Sequence, residues 1–349
     1  MSFTLMLPVA GKSSRFPNMR PKWLLTMPDG KLMIEKAVEK VDCSVFDRIV
    51  IVCLQEHLDI YVEKQLLISS FEKATGYVPD IVALDAPTAS QSETIYEAIN
   101  QGNIDGAFFI KDCDNIFACQ PEPKNIVSAI DLNEIDLVDA KNKSYVEVDS
   151  LGVISNIVEK KVISNYFCCG GYGFESSEKF SKTYESIHSV DEVYISHIIY
   201  KMLLENEEFV VSHASHYMDW GTLREYRHYC KRYLTVFCDV DGVLLKNGSK
   251  FSKSGWETPT LAKNLNKLKQ LQDQGLLYLV LTSSRPENMI EYTVNLLAEN
   301  GLSVDRCVFG LPHSKRYLIN DYSPTNPYPS AVSINIERDA EVLDMMLEV

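Results

Sequence analysis

The sequence predicts an α/β protein of two domains, each built around a mostly parallel sheet. Segments rich in β-branched and aromatic residues alternate with amphipathic segments along almost the whole chain, and this alternation is typical of α/β folds. A length of 349 residues suggests two domains rather than one. We place the boundary near residue 233, which gives predicted domains of 1–233 and 234–349.

The predicted strands are short apolar runs separated by helical segments. They comprise the opening run MSFTLMLPVAG and residues 48–54, 80–86, 106–114, 235–241, 276–284 and 331–336. Residues 258–275 predict a helix, because their leucines fall on one face. Thr258 is its expected N-cap, Pro259 suits the first helical position and Gly275 suits the stop.

Composition narrows the classes of function. The chain is 46% hydrophobic and 23% charged, with a formal net charge of -14, which disfavours binding to nucleic acid or to a membrane surface. The opening run lacks the basic start of a signal peptide, and no apolar run is long enough to cross a bilayer. Nine scattered cysteines indicate reduced thiols. We expect a cytoplasmic protein, which could form a homo-oligomer.

The first candidate site follows the opening strand, in the segment LPVAGKSSRFP. Gly11, small polar residues and Arg15 form an arrangement suited to an anion, because backbone N–H groups and a guanidinium both bind phosphate. The letters GKS suggest a P-loop. That motif needs a glycine at position 6, where this chain has Met6, so we reject the P-loop.

This segment resembles the opening of the sugar-phosphate nucleotidyltransferases, in which an Ala-Gly loop leads to Ser-Arg and then to Pro-Lys. The matching residues are Ala10, Gly11, Ser13, Ser14, Arg15, Pro21, Lys22, Leu24, Leu25, Gly30 and Lys31. Lys12 and Ser13 stand where the family often has small residues and glycine. The resemblance implies a GT-A-like, Rossmann-like domain with a mixed sheet. It also implies a loop that binds the nucleotide, Arg15 near the departing pyrophosphate and Lys22 near the transferring phosphorus.

Further segments extend this resemblance over nearly all of residues 3–229. It implies that Gln91 and Ser92 read the base, that Asp114 and Asp219 bind Mg²⁺ with Asp112 nearby in the nucleotide site, and that Glu159, Lys160, Gly170 and Gly171 bind the acceptor. A solvated turn is the alternative interpretation of residues 112–114.

The second candidate site lies in TVFCDVDGVLLKNGS, residues 235–249, where an apolar run ends in Asp239 and Asp241. Taken alone, the pair is equally typical of a strand end whose acids face solvent. Other predicted strands end in Thr282 and, after Lys315, in Asp321. The carboxyl edge of an open α/β sheet is where ligands bind. An aspartate can attack a phosphoryl group, and a second acid can protonate the leaving group and then activate water. A hydroxyl and a lysine can hold the phosphoryl oxygens.

These segments resemble the phosphatases of the haloacid dehalogenase (HAD) superfamily, across roughly 115 residues. The resemblance implies a small Rossmann-like domain without a large cap. It makes Asp239 the nucleophile, Asp241 the general acid/base, and Thr282 and Lys315 the phosphate holders. Mg²⁺ would be bound by Asp239, Asp241 and Asp321. Asn320 replaces the first of two adjacent acids, which either weakens the metal site or is a tolerated variant.

The sequence thus predicts a bifunctional, Mg²⁺-dependent enzyme. One domain would transfer a nucleoside monophosphate from CTP or another nucleoside triphosphate to a sugar phosphate or similar ester. The other would hydrolyse a phosphate monoester, and by family analogy both would serve capsule or cell-surface polysaccharide synthesis. Two alternatives stay open. The first is a CTP-dependent cytidylyltransferase acting on a polyol phosphate or an amino alcohol phosphate. The second is a regulatory or scaffold protein in which one domain has lost catalysis.

Overall fold

The computed structural model describes residues 2–135, 143–187, 192–251, 253, 255–321 and 331–347. The chain divides into two compact units, Met1–His228 and Tyr229–Val349, and each is described by itself below. Among the described residues, none of the helices combines the length and the apolarity needed to cross a membrane.

The first unit contains eleven strands among its described residues. They are β1 Phe3–Pro8, β2 Arg48–Leu54, β3 Asp80–Leu84, β4 Ala107–Lys111, β5 Asn115–Ala118, β6 Ile126–Asp131, β7 Tyr145–Val148, β8 Ile154–Val158, β9 Tyr166–Phe174, β10 Val210–His213 and β11 Ser215–Asp219. Nine of them form one sheet whose main order is β10-β6-β9-β4-β1-β2-β3, and β7 and β8 are joined to it through β9. The strands β5 and β11 form a separate antiparallel pair.

The large sheet is mixed. The strands β4, β1, β2 and β3 run parallel to one another, whereas β9 runs antiparallel to both β4 and β6. This agrees with the mixed α/β sheet expected for the first domain. Because β1 and β4 are parallel neighbours, their carboxyl ends lie at one edge, where open α/β sheets bind ligands.

Helices connect these strands. They are α1 Met33–Ala37, α2 Gln55–Ile60, α3 Lys64–Thr75, α4 Gln91–Gly102, α5 Ser177–Ile187, α6 Ile195–Leu204 and α7 Leu223–Arg232. Side chains that alternate along the strands enter two apolar clusters. Leu5 and Leu7 of β1 belong to one cluster and Met6 belongs to the other, because successive side chains of a strand point to opposite faces. The sheet is therefore covered on both faces.

The described part of the second unit has a three-stranded parallel sheet of order β12-β13-β14. Its elements are β12 Leu234–Asp239, α8 Ala262–Asp273, β13 Leu277–Thr282, α9 Ile290–Glu299, β14 Arg306–Val308 and α10 Leu343–Met346. Leucines dominate its core, with Leu268, Leu279, Leu281 and Leu297 among the most buried.

Two predicted strands of this unit do not form. The third strand is β14 and not a segment ending in Asp321, which lies outside any helix or strand. Ile319 beside it is 91% exposed. Residues 331–336 form no strand either, and Val332 is exposed. Strand propensity depends on packing against a neighbouring strand, and these apolar residues lie exposed instead.

The helix predicted to start at Pro259 begins instead at Ala262. The backbone just before Ala262 forms hydrogen bonds with residues outside the helix. The Lys246 amide donates to the Pro259 carbonyl, and the Leu261 amide donates to the Leu244 carbonyl. These bonds hold the segment extended, so Thr258 does not cap the helix. The expected stop is confirmed, since Gly275 takes a φ of +68° directly after the last turn.

Candidate active site

The predicted site of the first unit is assembled by two segments that leave the sheet at one edge. The loop after β1 carries Arg15 and Lys22, and the turn after β4 carries Asp114. Lys22 Nζ lies 2.5 Å from Asp114 Oδ2, and an Arg15 nitrogen lies 3.5 Å from the same oxygen. Burial would raise the pKa of Asp114, but the positive charges of Lys22 and Arg15 hold it well below its usual range.

The loop after β1 has a backbone conformation that explains a departure from the family pattern. Ser13, which stands where the family often has glycine, has a φ of +49°, in the left-handed region that glycine enters most easily. Its hydroxyl accepts a hydrogen bond of 3.1 Å from the Lys22 amide. This bond ties the loop to the segment that carries the lysine. Ala10 is buried, whereas Gly11 and Ser14 are exposed.

Asp219 is brought beside Asp114 by the small antiparallel pair of strands. In this pair Asp219 lies opposite Asn115, and the Trp220 amide donates to the Asp114 carbonyl at 2.8 Å. A Cβ placed on Gly221 would lie 3.0 Å from Asp219 Oδ1 and 3.2 Å from Asp114 Oδ2. The two predicted metal ligands therefore converge on one point, and Gly221 leaves that point open.

Lys143 is a member of this site that sequence reasoning missed. Its Nζ contacts Asp219 Oδ2 and donates to the Tyr217 hydroxyl at 2.6 Å. Burial would lower the pKa of Lys143, but the charge of Asp219 and its hydrogen bond raise it. Lys143 belongs to no recognisable motif, and only the fold brings it to Asp219. Asp114 and Asp219 thus each have a lysine partner.

The donor set fits Mg²⁺. Asp114 and Asp219 offer hard carboxylate oxygens, and Mg²⁺ is usually bound by one or two carboxylates together with phosphates and water. Among the residues described, no group of three or more His, Cys, Asp or Glu side chains lies close enough to form a metal site alone. Two protein carboxylates completed by a nucleotide's phosphates are consistent with this count.

Asp112 lies on the same turn and faces a glycine of β9. Gln91 Nε2 donates to Asp112 Oδ1 at 2.5 Å, and the Asp112 amide donates to the Gly170 carbonyl at 2.8 Å. A Cβ on Gly170 would lie 2.4 Å from Asp112 Oδ2, so the close approach requires glycine. Burial, together with the charge of Asp114, raises the pKa of Asp112 to about 6.

Two of the predicted site residues, Ser92 and Gly171, are buried in the core of the first unit. Ser92 is fully buried, and its hydroxyl donates to the Val193 carbonyl. A Cβ on Gly171 would lie within 3 Å of atoms of Ser128, Phe109 and Phe117, so this glycine makes room in the core. The roles proposed for Ser92 in reading the base and for Gly171 in approaching the acceptor gain no support from these positions.

The Glu-Lys pair predicted to bind the acceptor is held by neighbouring side chains. Glu159 Oε2 accepts hydrogen bonds from the Ser144 hydroxyl and, at 2.7 Å, from the Ser196 hydroxyl. Lys160, which has a φ of +55°, donates to the Tyr194 hydroxyl at 2.7 Å. These contacts fix the direction of both side chains while Lys160 stays about half exposed.

In the second unit, the register of the sheet places Asp239 beside Thr282. An Arg316 nitrogen donates to Thr282 Oγ1 at 3.1 Å and lies 3.4 Å from Asp239 Oδ1. The predicted phosphate holder was Lys315, which is exposed on a stretch outside helix and strand. The cation in contact with Asp239 and Thr282 is therefore Arg316, the residue next to it.

Asp241 has a different environment. Arg285, which is fully buried, contacts both oxygens of Asp241, with Nε at 3.0 Å from Oδ2 and a terminal nitrogen at 2.8 Å from Oδ1. The Ser283 hydroxyl lies 3.4 Å from Oδ2. The predicted general acid/base is thus part of a bidentate ion pair, which sequence reasoning did not foresee, although Arg285 directly follows the serine pair of the strand end.

The comparisons with known proteins define the class of fold. The sequence matches no protein-family model, and no curated protein matches it. Solved structures do match. They share a mixed α/β fold with this chain, in which the first unit has a central mixed sheet.

Three solved structures illustrate this likeness. The nucleoside-diphosphate-sugar pyrophosphorylase from Vibrio cholerae RC9 has a TM-score of 0.55 and 17% identity, covering 65% of this chain and 99% of that one. The inositol-1-phosphate CTP transferase from T. maritima has a TM-score of 0.52 and 16% identity, covering 64% and 91%. A UDP-glucose pyrophosphorylase complexed with UDP-glucose has a TM-score of 0.50 and 17% identity, covering 66% and 100%.

Proposed function

We propose that the first unit transfers a nucleoside monophosphate from a nucleoside triphosphate to a sugar phosphate or similar small phosphate ester, and releases pyrophosphate. The observation that carries this proposal is the convergence of Lys22 and Arg15 on Asp114 beside Asp219. It occurs at the carboxyl edge of a mixed α/β sheet similar to that of solved nucleotidyltransferases, where cations and carboxylates lie together and ligands commonly bind.

The chemistry is an in-line displacement at the α-phosphorus, in which the acceptor phosphate attacks and pyrophosphate leaves. Two anions must be brought together, so positioning and charge neutralisation supply the catalysis. Arg15 would bind the departing pyrophosphate and Lys22 would contact the α-phosphate of the nucleotidyl group that is transferred. Asp114 and Asp219 would hold Mg²⁺, which supplies neutralisation of phosphate charge when bound.

The acceptor would lie near Glu159, Lys160 and Gly170. A specific observation favours a second candidate, a CTP-dependent cytidylyltransferase acting on a polyol or amino alcohol phosphate. One of the matching structures is by its name an inositol-1-phosphate CTP transferase, and inositol is a polyol. The two candidates share the site and differ in the base and the acceptor.

For the second unit we propose hydrolysis of a phosphate monoester through an aspartyl-phosphate on Asp239. The adjacency of Asp239 and Thr282 and the contact of Arg316 with both support this role. Lys315 and Asp321 are the further members of the site that the resemblance implies. The ion pair between Arg285 and Asp241 favours the competing reading of a degenerate, regulatory domain. Phosphatase and transferase could act in sequence on precursors of capsule or cell-surface polysaccharide.

A panel assay tests both proposals. The protein is incubated with Mg²⁺, each nucleoside triphosphate and a set of sugar, polyol and amino alcohol phosphates, and pyrophosphate and phosphate are measured. One base with one acceptor class should release pyrophosphate, and absence of turnover with every pair would overturn the transferase. Asp239→Asn should abolish phosphate release and leave pyrophosphate release unchanged. A wild-type protein without phosphate release would favour the degenerate second domain.

A further inference from the structure

Lys111 is a charged residue in the interior of the first unit, directly behind the turn that carries Asp112 and Asp114. It is the last residue of β4, and it is 0% exposed. Its Nζ also lies 4.3 Å from the centre of the Phe117 ring. A lysine is almost never fully buried without partners, so its partners indicate why it is there.

The ammonium of Lys111 has three oxygen partners, and all of them belong to the turn 112–115. Nζ donates to the Asp112 carbonyl at 2.6 Å, to the Asn115 carbonyl at 2.9 Å and to Asn115 Oδ1 at 2.7 Å. An ammonium has three N–H donors and no acceptor, so each donor has one oxygen. The cation thus bridges the first and last residues of the turn.

We propose that Lys111 is a positioning residue that fixes the turn 112–115 and thereby aims the Asp114 carboxylate at the metal site. This inference rests on the proposed function. The turn has only two residues between the bridged positions, and Asp114 is one of them. Residues that orient metal ligands from behind typically change metal affinity by about 10–100-fold when they are replaced.

The sign of the effect separates positioning from simple electrostatics. A buried positive charge beside the site repels a divalent cation, so a purely electrostatic role predicts tighter metal binding when the charge is removed. A positioning role predicts weaker binding, because the turn loses the bridge that holds it. The same substitution therefore gives opposite results under the two accounts.

The test is direct binding of Mn²⁺ to the full-length protein carrying Asp239→Asn, which removes a ligand of the metal site expected in the second unit, followed by electron paramagnetic resonance of the unbound ion. All variants below are compared in that background. Lys111→Met keeps the length of the side chain and removes its charge, and should raise the Mn²⁺ dissociation constant about 10-fold or more. Asn115→Ala removes one of the three partners and should give a smaller rise. If Lys111→Met does not fold, the Asn115→Ala variant tests the inference in its place. Unchanged or tighter binding in the folded variants would overturn the inference.

Two controls separate this result from others. Phe180→Leu alters a fully buried ring that packs on Phe108 and Phe174, so it should lower stability without weakening Mn²⁺ binding. Equal weakening in this control would overturn the positioning role. Asp114→Asn should lose the Mn²⁺ site. If it binds like the wild type, the proposed metal site fails and the role of Lys111 fails with it. If Asp114→Asn loses the Mn²⁺ site while Lys111→Met binds Mn²⁺ like the wild type, the metal site stands and only the positioning role of Lys111 fails.

Discussion

Lys22 Nζ lies 2.5 Å from Asp114 Oδ2, across a separation of 92 residues in the sequence. The contact joins the loop after β1 to the turn after β4, two strands that are parallel neighbours in the sheet. The topology of the sheet therefore brings Lys22 and Asp114 together, although the sequence assigned them to one reaction from two separate motifs.

Lys22→Met should lower the rate of pyrophosphate release by about 10²–10³, because one charge that stabilises the transition state is lost. Lys12→Met is the matched control, since Lys12 is an exposed lysine of the same loop and should change the rate little. Steady-state kinetics with the active base and acceptor would measure both. A Lys22→Met variant as active as the Lys12→Met variant would remove Lys22 from the mechanism.

Gly221→Ala should weaken metal binding about 10-fold, because the new Cβ would displace the two carboxylates. That Cβ would lie 3.0 Å from Asp219 Oδ1 and 3.2 Å from Asp114 Oδ2. The Mg²⁺ concentration for half-maximal pyrophosphate release is the measurement. Gly76→Ala offers a contrast, because Gly76 follows α3 outside the proposed site and a Cβ there meets no atom within 4 Å. Its φ of +82° costs some stability when alanine replaces glycine, but its Mg²⁺ requirement should stay that of the wild type. An unchanged requirement in Gly221→Ala would show that the carboxylates bind no metal there.

Arg285→Met should lower the free energy of unfolding of the second unit by about 3–5 kcal/mol, because the charge of Asp241 loses its partner. The Asp241 side chain is only 12% exposed, so water cannot replace the arginine fully. Arg306→Met changes an exposed arginine whose contact is with the Tyr278 hydroxyl, and should change stability by no more than about 0.5 kcal/mol. Urea unfolding compares the two. Equal losses would mean that the buried ion pair contributes nothing specific.

His57 should make the first unit less stable in mild acid. Burial lowers the pKa of His57 from its usual 6.5, and its Nδ1 accepts a hydrogen bond of 3.3 Å from Trp23 Nε1, which requires an unprotonated Nδ1. As pH falls through 6.5 the unfolded chain takes up the proton first, so the free energy of unfolding decreases.

The measurement for His57 is the urea midpoint at pH 7.5 and 5.5. His57→Gln should flatten part of the dependence on pH, whereas His228→Gln, at an exposed histidine, should keep it. The same slope in all three proteins would show that His57 titrates alike in the folded and unfolded states.

The cysteines should react slowly with a thiol reagent in the native protein. Seven of the nine are buried, and burial raises the pKa of Cys53 and Cys238 to about 12. Because the thiolate is the reactive form, only the half-buried Cys230 and Cys307 should react before unfolding. Rapid reaction of more than two thiols in native conditions would contradict this packing.

The sequence predicted the first unit well where side-chain pattern and motif agreed. The strand 48–54 has those bounds in the structure, and Lys22, Asp114 and Asp219 come together as expected. Lys143 could not be found, because it lies outside every motif and reaches Asp219 through the fold. Lys111 was overlooked for a similar reason: within a predicted apolar strand its charge has no visible partner until the turn is built.

Prediction was weaker in the second unit. The pairing of Asp239 with Thr282 followed from two strand ends of one parallel sheet, which the alternation of elements could indicate. The strand ending in Asp321 was inferred from apolar residues, but strand formation also needs a neighbour that accepts the backbone bonds. The contact of Arg285 with Asp241 joins residues 44 apart in the sequence, and it becomes visible only when the two strand ends are placed side by side.

The most direct test of the central claim follows two labels of the nucleoside triphosphate in one reaction, on the α- and γ-phosphorus. With Mg²⁺ and the acceptor found by the panel, the α-label should pass into the acceptor product and the γ-label should leave as pyrophosphate. Asp114→Asn should abolish both transfers, and Asp239→Asn should leave both unchanged. Appearance of the γ-label on the acceptor, or transfer that survives Asp114→Asn, would contradict nucleotidyl transfer at this site.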